Sequence, residues 1–586
     1  MTHPIQPTVA APHSDVSVEN ARRETRLLKW GILLALVLAA AWPLTLNLVD
    51  PDLWGHIRYG QDWLALGELP RTATHTFTAD GYPWINHENL AELALALGYE
   101  WLGASGLLLA KCAVGLAMVL SMVAIVRRQG VHPWVAWAWM LVVTTNLQPF
   151  FILRPQLLSF LLCAAMLVVL DLAFRDWHEQ RKFSGRPLWL LPAVIAVWTN
   201  SHGGFLAGLA ILGAYLGGRI LELLVERKDH YRSKVVQLTA IGVASLAATL
   251  INPYGWQLHE WMIASLIQPR PEITEWLAPH PSDPVFWPWL GMLALVATSL
   301  VATKHRRDWV QIAILLLVIW QSALHLRHVA FVALVSGFWV PVHFQSALQR
   351  LLPTCRASVP PAEFSGWLRR VAVVALLLAI SFQSFALQQR LATLPVDRGR
   401  FPVDALQYMA DRQFEGKLVV TFNWAQYALA ALAPRIEVAF DGRYDTCYPV
   451  EVVDMHFDFL LGECKGKRQR SPLSGPIDGT RVLSHLSPDL VLLDRLYENP
   501  VAIMNTQRTR KDSEWVLLYR DRVADLWGRR AKFDDPASPD FVPMSLRVFD
   551  PSPREGEIAW PAFPLSSNDS QLADEAHTHP TPAAQF

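Results

Sequence analysis

Long apolar segments recur along the sequence from its N-terminal region to about residue 387. A bilayer core roughly 30 Å thick is crossed by about 20 apolar helical residues, or by fewer where a helix is paired or broken. Hydrophobic residues make up 52% of the 586 positions, which is more than a set of ordinary soluble domains contains. The sequence therefore predicts an α-helical multi-pass membrane protein with about eleven spans.

The limits of the predicted spans follow from the apolar segments. The first segment follows four basic residues and lacks a small-residue cleavage site, so we expect it to be retained as a span. The predicted spans are Trp30–Val49, Ala104–Val126, Pro133–Gln148, Gln156–Phe174, Leu188–Thr199, Phe205–Leu224, Val235–Ile251, Val285–Ala302, Trp309–Leu324, Val329–Phe344 and Val371–Leu387.

Basic residues concentrate in alternate short loops, and this sets the predicted orientation. Lys and Arg are retained on the cytoplasmic side of a membrane, so we expect a cytoplasmic N-terminus and an extracytoplasmic C-terminal region. The formal net charge is zero, which gives no reason to expect nucleic acid as a partner. The basic clusters are Arg127-Arg128, Arg175 to Arg186, Arg227 to Lys234, Lys304 to Arg307 and Arg350 to Arg370.

The chain divides into four regions of different composition. Residues 1–29 are predicted to be cytoplasmic and largely disordered, and residues 30–389 to form the transmembrane domain, with a first outer loop at 50–103. Short β-branched runs alternate with helical patterns in 390–534, which predicts an extracytoplasmic α/β domain. The Pro- and Ser-rich tail, 535–586, is predicted to be disordered. Cys447 and Cys464 share the outer domain, and whether they form a disulfide stays open.

The first outer loop opens with two carboxylates, Asp50 and Asp52, followed by His56 and Arg58. Helix capping explains part of this pattern, because Asp residues cap helices and complement the helix dipole. Ionisable side chains at a membrane boundary are nevertheless costly unless they are used. Two readings of Asp50 and Asp52 stay open: capping alone, or a role as general base or as ligand of a divalent cation such as Mg²⁺ or Mn²⁺.

Further polar motifs interrupt the apolar pattern at helix ends on the predicted outer side. Such residues form turns, yet irregular backbone at membrane depth is tolerated only where it is buried in protein or lines a cavity. The guanidinium of Arg154 could extend to water or clamp a phosphate. The further candidate site residues are His87, Glu88, Arg154, Gln156, Asn200, His202 and Arg327.

As an ordered set, these motifs resemble those of bacterial multi-pass proteins related to the GT-C class of membrane glycosyltransferases. One departure is Ala73, which stands where the related pattern usually has an acidic residue, so a second acidic site near it is in doubt. The motifs are Asp50–His56, Pro83–Glu88, Arg154–Gln156, His202–Phe205, Asn252–Gly255 and Phe440–Tyr444.

The resemblance implies inverting transfer of a sugar from a polyprenyl-phosphate carrier to a glycan, lipid or protein acceptor, at the outer face of the bacterial cytoplasmic membrane. Asp50, with Asp52 as the alternate, would activate the acceptor or bind a metal, since the Asp50-Pro51 pair is similar to the acidic pair of oligosaccharyltransferase catalytic subunits. Arg154 and His202 would neutralise the departing phosphate. The outer domain would bind the acceptor, and Asp441 and Arg443 are expected to form a salt-bridged turn there.

Two alternative functions stay open. One is an oligosaccharyltransferase that moves a preassembled glycan to protein, although no motif reads as peptide recognition. The other is a non-enzymatic transporter or polysaccharide-assembly scaffold. Transporters tend to place ionisable residues near the membrane midplane and to show internal repeats, and the sequence shows neither pattern. Glycosyl transfer is therefore the leading hypothesis.

Overall fold

The computed structural model describes residues 13–227, 230–268, 270–352, 366–463, 470–510 and 512–565. Cys355 and Cys464 lie outside the described residues, and so does the question of a disulfide between Cys464 and Cys447. Cys447 itself is buried in the outer domain.

Helices account for most of the chain up to residue 392, as the apolar pattern predicts. The first outer loop contributes its own helix, α2, before the chain enters α3. The longer helices are α1 (His13–Leu44), α2 (Leu53–Leu66), α3 (Asn89–Arg128), α4 (Pro133–Leu147), α5 (Gln156–Ala173), α6 (Leu191–Thr199), α7 (Phe205–Glu226), α8 (Tyr231–Ala248), α9 (Gln257–Ile267), α10 (Phe286–Ala302), α11 (Trp309–Leu324), α12 (Val329–Trp339), α13 (Pro341–Leu351) and α14 (Gly366–Ala392).

Five helices in the described part of the chain are long and apolar enough to cross a membrane. These are Leu27–Leu44 in α1, the helices α3, α5 and α7, and Arg370–Ala392 in α14. The segment Leu326–Trp339, which contains α12, passes the same test together with α13, but the two are bent by 69°. The helices α10 and α11 are apolar but shorter. A helical fold with several candidate spans is therefore established, while the count of about eleven stays a prediction.

The helix α3 is longer than the predicted span Ala104–Val126 because it begins in the outer loop at Asn89. Its two parts meet at Gly103, whose φ of 67° lies in the left-handed region that favours glycine. The first part, up to Leu102, packs beside α2, and the second forms the span. This break lets one continuous chain segment serve both the membrane domain and the outer loop.

The structure has more order than predicted at both ends of the described chain. Helix α1 already begins at His13, so the described part of the predicted disordered N-terminus, 1–29, is helical. The tail is also structured as far as residue 565: the strand Glu557–Ala559 pairs with Pro395–Asp397, and Trp560 is only 5% exposed. Composition alone does not predict this order, because a few buried apolar side chains hold a segment whose other residues are mostly polar. Residues 566–586 lie outside the described chain.

The predicted α/β domain is present after residue 392. Its main sheet has the strand order β3-β2-β4-β6-β5-β7, with β2 parallel to β3 and β4 and with β6 antiparallel to β4 and β5. The strands are β1 (Pro395–Asp397), β2 (Gly416–Val420), β3 (Ile436–Val438), β4 (Leu490–Asp494), β5 (Trp515–Arg520), β6 (Ala524–Arg529), β7 (Val548–Phe549) and β8 (Glu557–Ala559). The helices are α15 (Val403–Asp411), α16 (Phe422–Leu432), α17 (Val450–Leu461) and α18 (Glu498–Thr509).

The outer domain contacts the first outer loop through Arg443, which also forms a buried ion pair inside that domain. Arg443 donates to Asp441 through Nη2 at 2.7 Å and to the Thr74 carbonyl at 2.6 Å. Its guanidinium lies 4.7 Å from the Tyr59 ring centre and 4.9 Å from that of Trp84. The predicted salt-bridged turn is confirmed, and it faces the loop rather than solvent.

Close packing of α2 against α16 strengthens the same interface. Trp54 stacks on Tyr427 with ring centres 4.4 Å apart, and its indole donates to the Pro561 carbonyl at 2.9 Å. A Cβ at Gly55 would overlap the Gln426 side chain. The first loop, the outer domain and the C-terminal segment therefore pack as one layer.

Arg443→Met tests this interface. Breaking a buried ion pair leaves Asp441 unpaired and costs about 3–5 kcal/mol, so we expect a clear fall in the thermal unfolding midpoint of the detergent-purified protein. Arg530→Met, which removes the half-exposed Arg530–Asp534 pair, should change the midpoint far less, since exposed pairs contribute about 0–1 kcal/mol. Equal effects of the two variants would contradict the docking role.

Candidate functional site

A cavity of about 680 Å³ lies between helix ends of the membrane domain, the first outer loop and the outer domain. Segments that are far apart in sequence meet in its wall, including the loop before α10 and the turn around Arg443. The predicted site residues that line it are Asp52, His56, His87, Glu88, Arg154, Gln156, His202 and Arg327. The prediction that the polar motifs converge therefore matches the geometry.

Arg154 holds three carboxylates from two loops. Its Nε lies 2.7 Å from Asp50 Oδ1, its Nη2 lies 3.1 Å from Asp52 Oδ2, and its Nη1 donates to Glu275 Oε1 at 2.9 Å. Arg154 lies just before α5, next to its N-cap residue Pro155, so the start of that helix fixes the position of the guanidinium group. All three guanidinium nitrogens already have acidic partners, which leaves this side chain little capacity to clamp a phosphate.

The two acids of the first loop have different environments. Asp50 is 5% exposed, and its Oδ1 also accepts the backbone N–H of Asp52 at 2.9 Å. Asp52 is the N-cap residue of α2, but its side chain makes no capping hydrogen bond and faces the cavity. Desolvation raises the pKa of Asp52 to about 6 despite the opposing charge of Arg154. Asp50 is thus a structural partner of Arg154, whereas Asp52 offers an accessible carboxylate.

His56, Glu88 and Glu92 form a second charged cluster next to Asp52. The Nδ1 of His56 lies 3.3 Å from Glu92 Oε1 and 3.9 Å from Glu88 Oε2. Burial alone would lower the pKa of His56, but its hydrogen bond to Glu92 and the charges of both glutamates raise it to about 9. One ligand atom from each residue lies within 4.8 Å of the others. A histidine and two carboxylates in this arrangement could hold a divalent cation such as Zn²⁺ or Mn²⁺.

His202 is held in one orientation by the turn that precedes α7. Its Nδ1 faces the Ser159 hydroxyl at 2.8 Å and accepts the Gly204 backbone N–H at 3.0 Å. Trp198 donates to Ser159 at 2.7 Å, so the serine proton is directed to His202. Burial lowers the pKa of His202 to about 3. A neutral imidazole whose Nε2 carries the proton therefore lies 3.8 Å from Glu88.

Arg327 presents its guanidinium to the cavity on an aromatic face. It lies 4.6 Å from the ring centre of Trp276, and Arg270 lies 4.7 Å from that same ring. Arg270 is paired with Asp445 of the outer domain at 2.6 Å. Within the described part of the chain, the Arg327 guanidinium makes no hydrogen bond or ion pair. It is therefore well suited to bind an anion.

Besides Asp50, two predicted site residues lie outside the cavity wall, and another is committed to backbone contacts. Arg58 donates to Asp62 at 2.9 Å. Asn200 donates to the carbonyls of Ala196 and Ile251. Gln156 lines the cavity, but its amide donates to the Phe150 carbonyl at 2.8 Å. These three side chains stabilise the loops that carry the site.

Several residues of the site were not among the predicted ones. Glu92 follows Glu88 by one helical turn, and that spacing is the sequence feature that could have identified it as a site residue. Glu275, Trp276 and Arg270 lie in a loop rich in Trp and Pro, where interfacial anchoring explains the composition equally well. Their contribution depends on long-range packing that local patterns do not encode.

No protein-family profile matches the chain, and no curated protein matches it in sequence. Solved structures do resemble it. An archaeal oligosaccharyltransferase, AglB from Archaeoglobus fulgidus, in complex with an inhibitory peptide and a dolichol-phosphate, is 12% identical, with a TM-score of 0.47 over 79% of this chain and 69% of that one. ArnT from Cupriavidus metallidurans bound to undecaprenyl phosphate is 13% identical, with a TM-score of 0.47 over 89% of this chain and 100% of that one.

The arabinofuranosyltransferase AftD from Mycobacteria is 14% identical, with a TM-score of 0.43 over 86% of this chain and 40% of that one. This chain thus spans two fifths of the AftD chain. These likenesses, at 12–14% identity and TM-scores below 0.5, assign no family to the chain, and the resemblance to the GT-C class stays a prediction.

The arginine cluster can be tested by a double-mutant cycle. Arg154→Gln leaves Asp50 buried without its cation, so we expect a loss of about 3–5 kcal/mol in stability. Asp50→Asn combined with Arg154→Gln should cost less than the sum of the two single changes, because the charges they remove are in contact. Thermal unfolding of purified protein measures both effects.

Arg58→Gln provides the matched control, because its partner Asp62 is more exposed than Asp50. We expect this variant to lose much less stability than Arg154→Gln. Strict additivity of the Asp50 and Arg154 changes would refute their coupling.

Proposed function

We propose that the protein is an integral membrane glycosyltransferase that moves a sugar from a polyprenyl-phosphate carrier to an extracytoplasmic acceptor. The observation that carries this proposal is the placement of Asp52 and the unpaired Arg327 guanidinium in one cavity. The cavity lies between the ends of apolar helices and the α/β domain. A lipid-linked donor can thus approach from the bilayer and an acceptor from outside.

The proposed reaction is a single displacement with inversion at the anomeric carbon. The acceptor oxygen forms a bond to that carbon while the bond from the carbon to the phosphate oxygen breaks. Asp52 takes the proton of the acceptor hydroxyl, and the polyprenyl phosphate leaves with its negative charge. A base on one side and a cation on the other match the two charges that develop.

Asp52 is favoured over Asp50 as the general base. Its carboxylate faces the cavity, and its pKa of about 6 leaves it ionised and still basic at neutral pH. Asp50 is nearly buried and is paired with Arg154. This ranking reverses the one suggested by the resemblance, in which Asp50 comes first.

Arg327 is favoured over Arg154 and His202 for the leaving phosphate. Arg154 is shared among three carboxylates, and His202 is neutral because burial lowers its pKa to about 3. The donors of Arg327 are free of carboxylate partners in the described chain, and Trp276 holds its planar group. His202 can still donate one neutral hydrogen bond from Nε2.

A divalent cation fits the cluster of His56, Glu88 and Glu92 better than it fits Asp50. The close guanidinium of Arg154 disfavours a cation at Asp50. In the cluster, two carboxylates and one imidazole nitrogen converge. A bound cation would polarise an oxygen next to Asp52. In its absence, the proton on His56 balances part of the same negative charge.

Conservative variants test the two principal roles. In a transfer assay with polyprenyl-phosphate-linked sugars from a lipid extract, we expect Asp52→Asn to lower the rate about 10²- to 10⁴-fold. Arg327→Met should lower it about 10²- to 10³-fold, because it removes charge stabilisation of the leaving group. Asp62→Asn and Arg58→Met are the matched controls outside the cavity. Full activity of Asp52→Asn at equal folded yield would exclude the proposed base.

The pH profile gives an independent test. Because Asp52 must be ionised and its pKa is raised to about 6, we expect activity to rise with pH through a midpoint near 6. A carboxylate with an ordinary pKa of 3.8 would place the midpoint about two units lower. Residual activity of Asp52→Asn should lack this transition. A wild-type midpoint near 4 would contradict the role of Asp52.

Metal binding is tested without activity. We expect purified protein to bind Mn²⁺ or Zn²⁺ in equilibrium dialysis and to release protons at pH 7, because His56 must deprotonate. Glu92→Gln should weaken binding by at least about tenfold, and Asp62→Asn should not change it. Undiminished binding by Glu92→Gln would place the cation elsewhere.

A further inference from the structure

A second cavity, of about 530 Å³, lies at the other end of the membrane domain. Helix α7 begins three residues after His202 and ends at Glu226, in the wall of this second cavity. Its 22 residues separate the two cavities by about 33 Å, because an α-helix rises 1.5 Å per residue. The basic loops predict that this end is cytoplasmic.

The acids of the second cavity are already paired. Arg219 is 1% exposed and contacts Asp308 and, at 3.2 Å, Glu222. Arg181 contacts Glu222 at 3.4 Å and also Glu226. These contacts join α7 to the start of α11 and form the floor of the cavity. The three carboxylates of this floor are therefore paired with two buried or nearly buried guanidinium groups, and Asp308 also lies 3.0 Å from His178.

Two further arginines at the cavity have only backbone partners in the described chain. Arg306 donates to the His178 carbonyl at 3.2 Å. Arg307 donates to the carbonyls of Leu300 and Val301 at 2.8 and 3.1 Å. Carbonyls position these groups without neutralising them. The cavity thus carries uncompensated positive charge that can attract an anion.

The rim of the cavity is apolar and exposed. Leu221, Val225 and Trp309 line it and have exposed fractions of 62%, 74% and 71%. These residues belong to the ends of α7 and α11, where Trp is typical of a membrane interface. A ligand that fits both features has an anionic head and an apolar body.

We infer that this cavity binds the phosphate headgroup of an anionic phospholipid from the adjacent leaflet. Arg306 and Arg307 contact the phosphate, and the rim contacts the first methylene groups of the acyl chains. Basic cavities between transmembrane helices at the cytoplasmic side are suited to anionic headgroups. The site is separate from the proposed catalytic cavity and does not rest on the proposed function.

The test uses the full-length protein in nanodiscs and measures the phosphatidylglycerol that remains bound after purification by native mass spectrometry. We expect retention from mixed phosphatidylglycerol and phosphatidylcholine bilayers to favour phosphatidylglycerol. The double variant R306Q/R307Q should lose that preference by on the order of tenfold to thirtyfold, as expected for two basic groups at a membrane surface. R232Q, a change of another basic residue near the same membrane face, is the matched control.

Two outcomes would overturn the inference. One is unchanged phosphatidylglycerol retention in R306Q/R307Q when its thermal unfolding midpoint matches that of wild type. The other is that free glycerol 1-phosphate protects the wild type from unfolding as strongly as phosphatidylglycerol does. That result would assign the cavity to a soluble phosphate compound. If the double variant does not fold, R306Q alone and W309A supply the comparison. W309A should weaken retention of the lipid and leave binding of glycerol 1-phosphate unchanged.

Discussion

The contact of Arg154 with Asp50, Asp52 and Glu275 organises the outer face of the protein. It joins the first outer loop, the start of α5 and the loop before α10, which are separated by about a hundred residues or more along the chain. A guanidinium has a planar fork of donors, so its partners must occupy fixed positions. Because one of those partners is Asp52, the same contact that holds the loops together also positions the proposed base.

The charged groups around this contact differ between the two sides of the cavity. Asp52 and the cluster with Glu88 lie on the first-loop side, where His56 supplies the balancing proton. Trp276, whose ring centre lies 4.7 Å from the Arg270 guanidinium and 4.6 Å from that of Arg327, lies on the other side. In the proposed reaction, the sugar phosphate lies with its phosphate toward Arg327, which leaves the anomeric carbon between that cation and the carboxylate of Asp52. The outer domain completes the arrangement, since Asp445 neutralises Arg270 and leaves Arg327 as the available cation.

Sequence patterns predicted those features that depend on local chemistry. The apolar segments predicted the helices, and most of the candidate residues at the polar interruptions line the cavity. Asp525, Trp527 and Gly528 leave no β-branched run in the strand Ala524–Arg529, and pairing with both neighbouring strands stabilises it instead. The segment before residue 565 was misread for a related reason: its composition is polar, but Trp560 is buried against the outer domain and α2.

The choice between Asp50 and Asp52 shows why adjacency in sequence cannot assign a role. Both residues fit a helix cap and both fit a catalytic acid, so the pattern around them leaves the alternatives open. Arg154, which lies 102 residues after Asp52 in the sequence, distinguishes the two acids by its ion pair with Asp50 inside the protein. Asp50 then bonds the backbone of the turn, while Asp52 occupies the cap position without using its carboxylate there. The two carboxylates therefore differ in role: Asp50 stabilises the turn, whereas Asp52, which faces the cavity, is the proposed base.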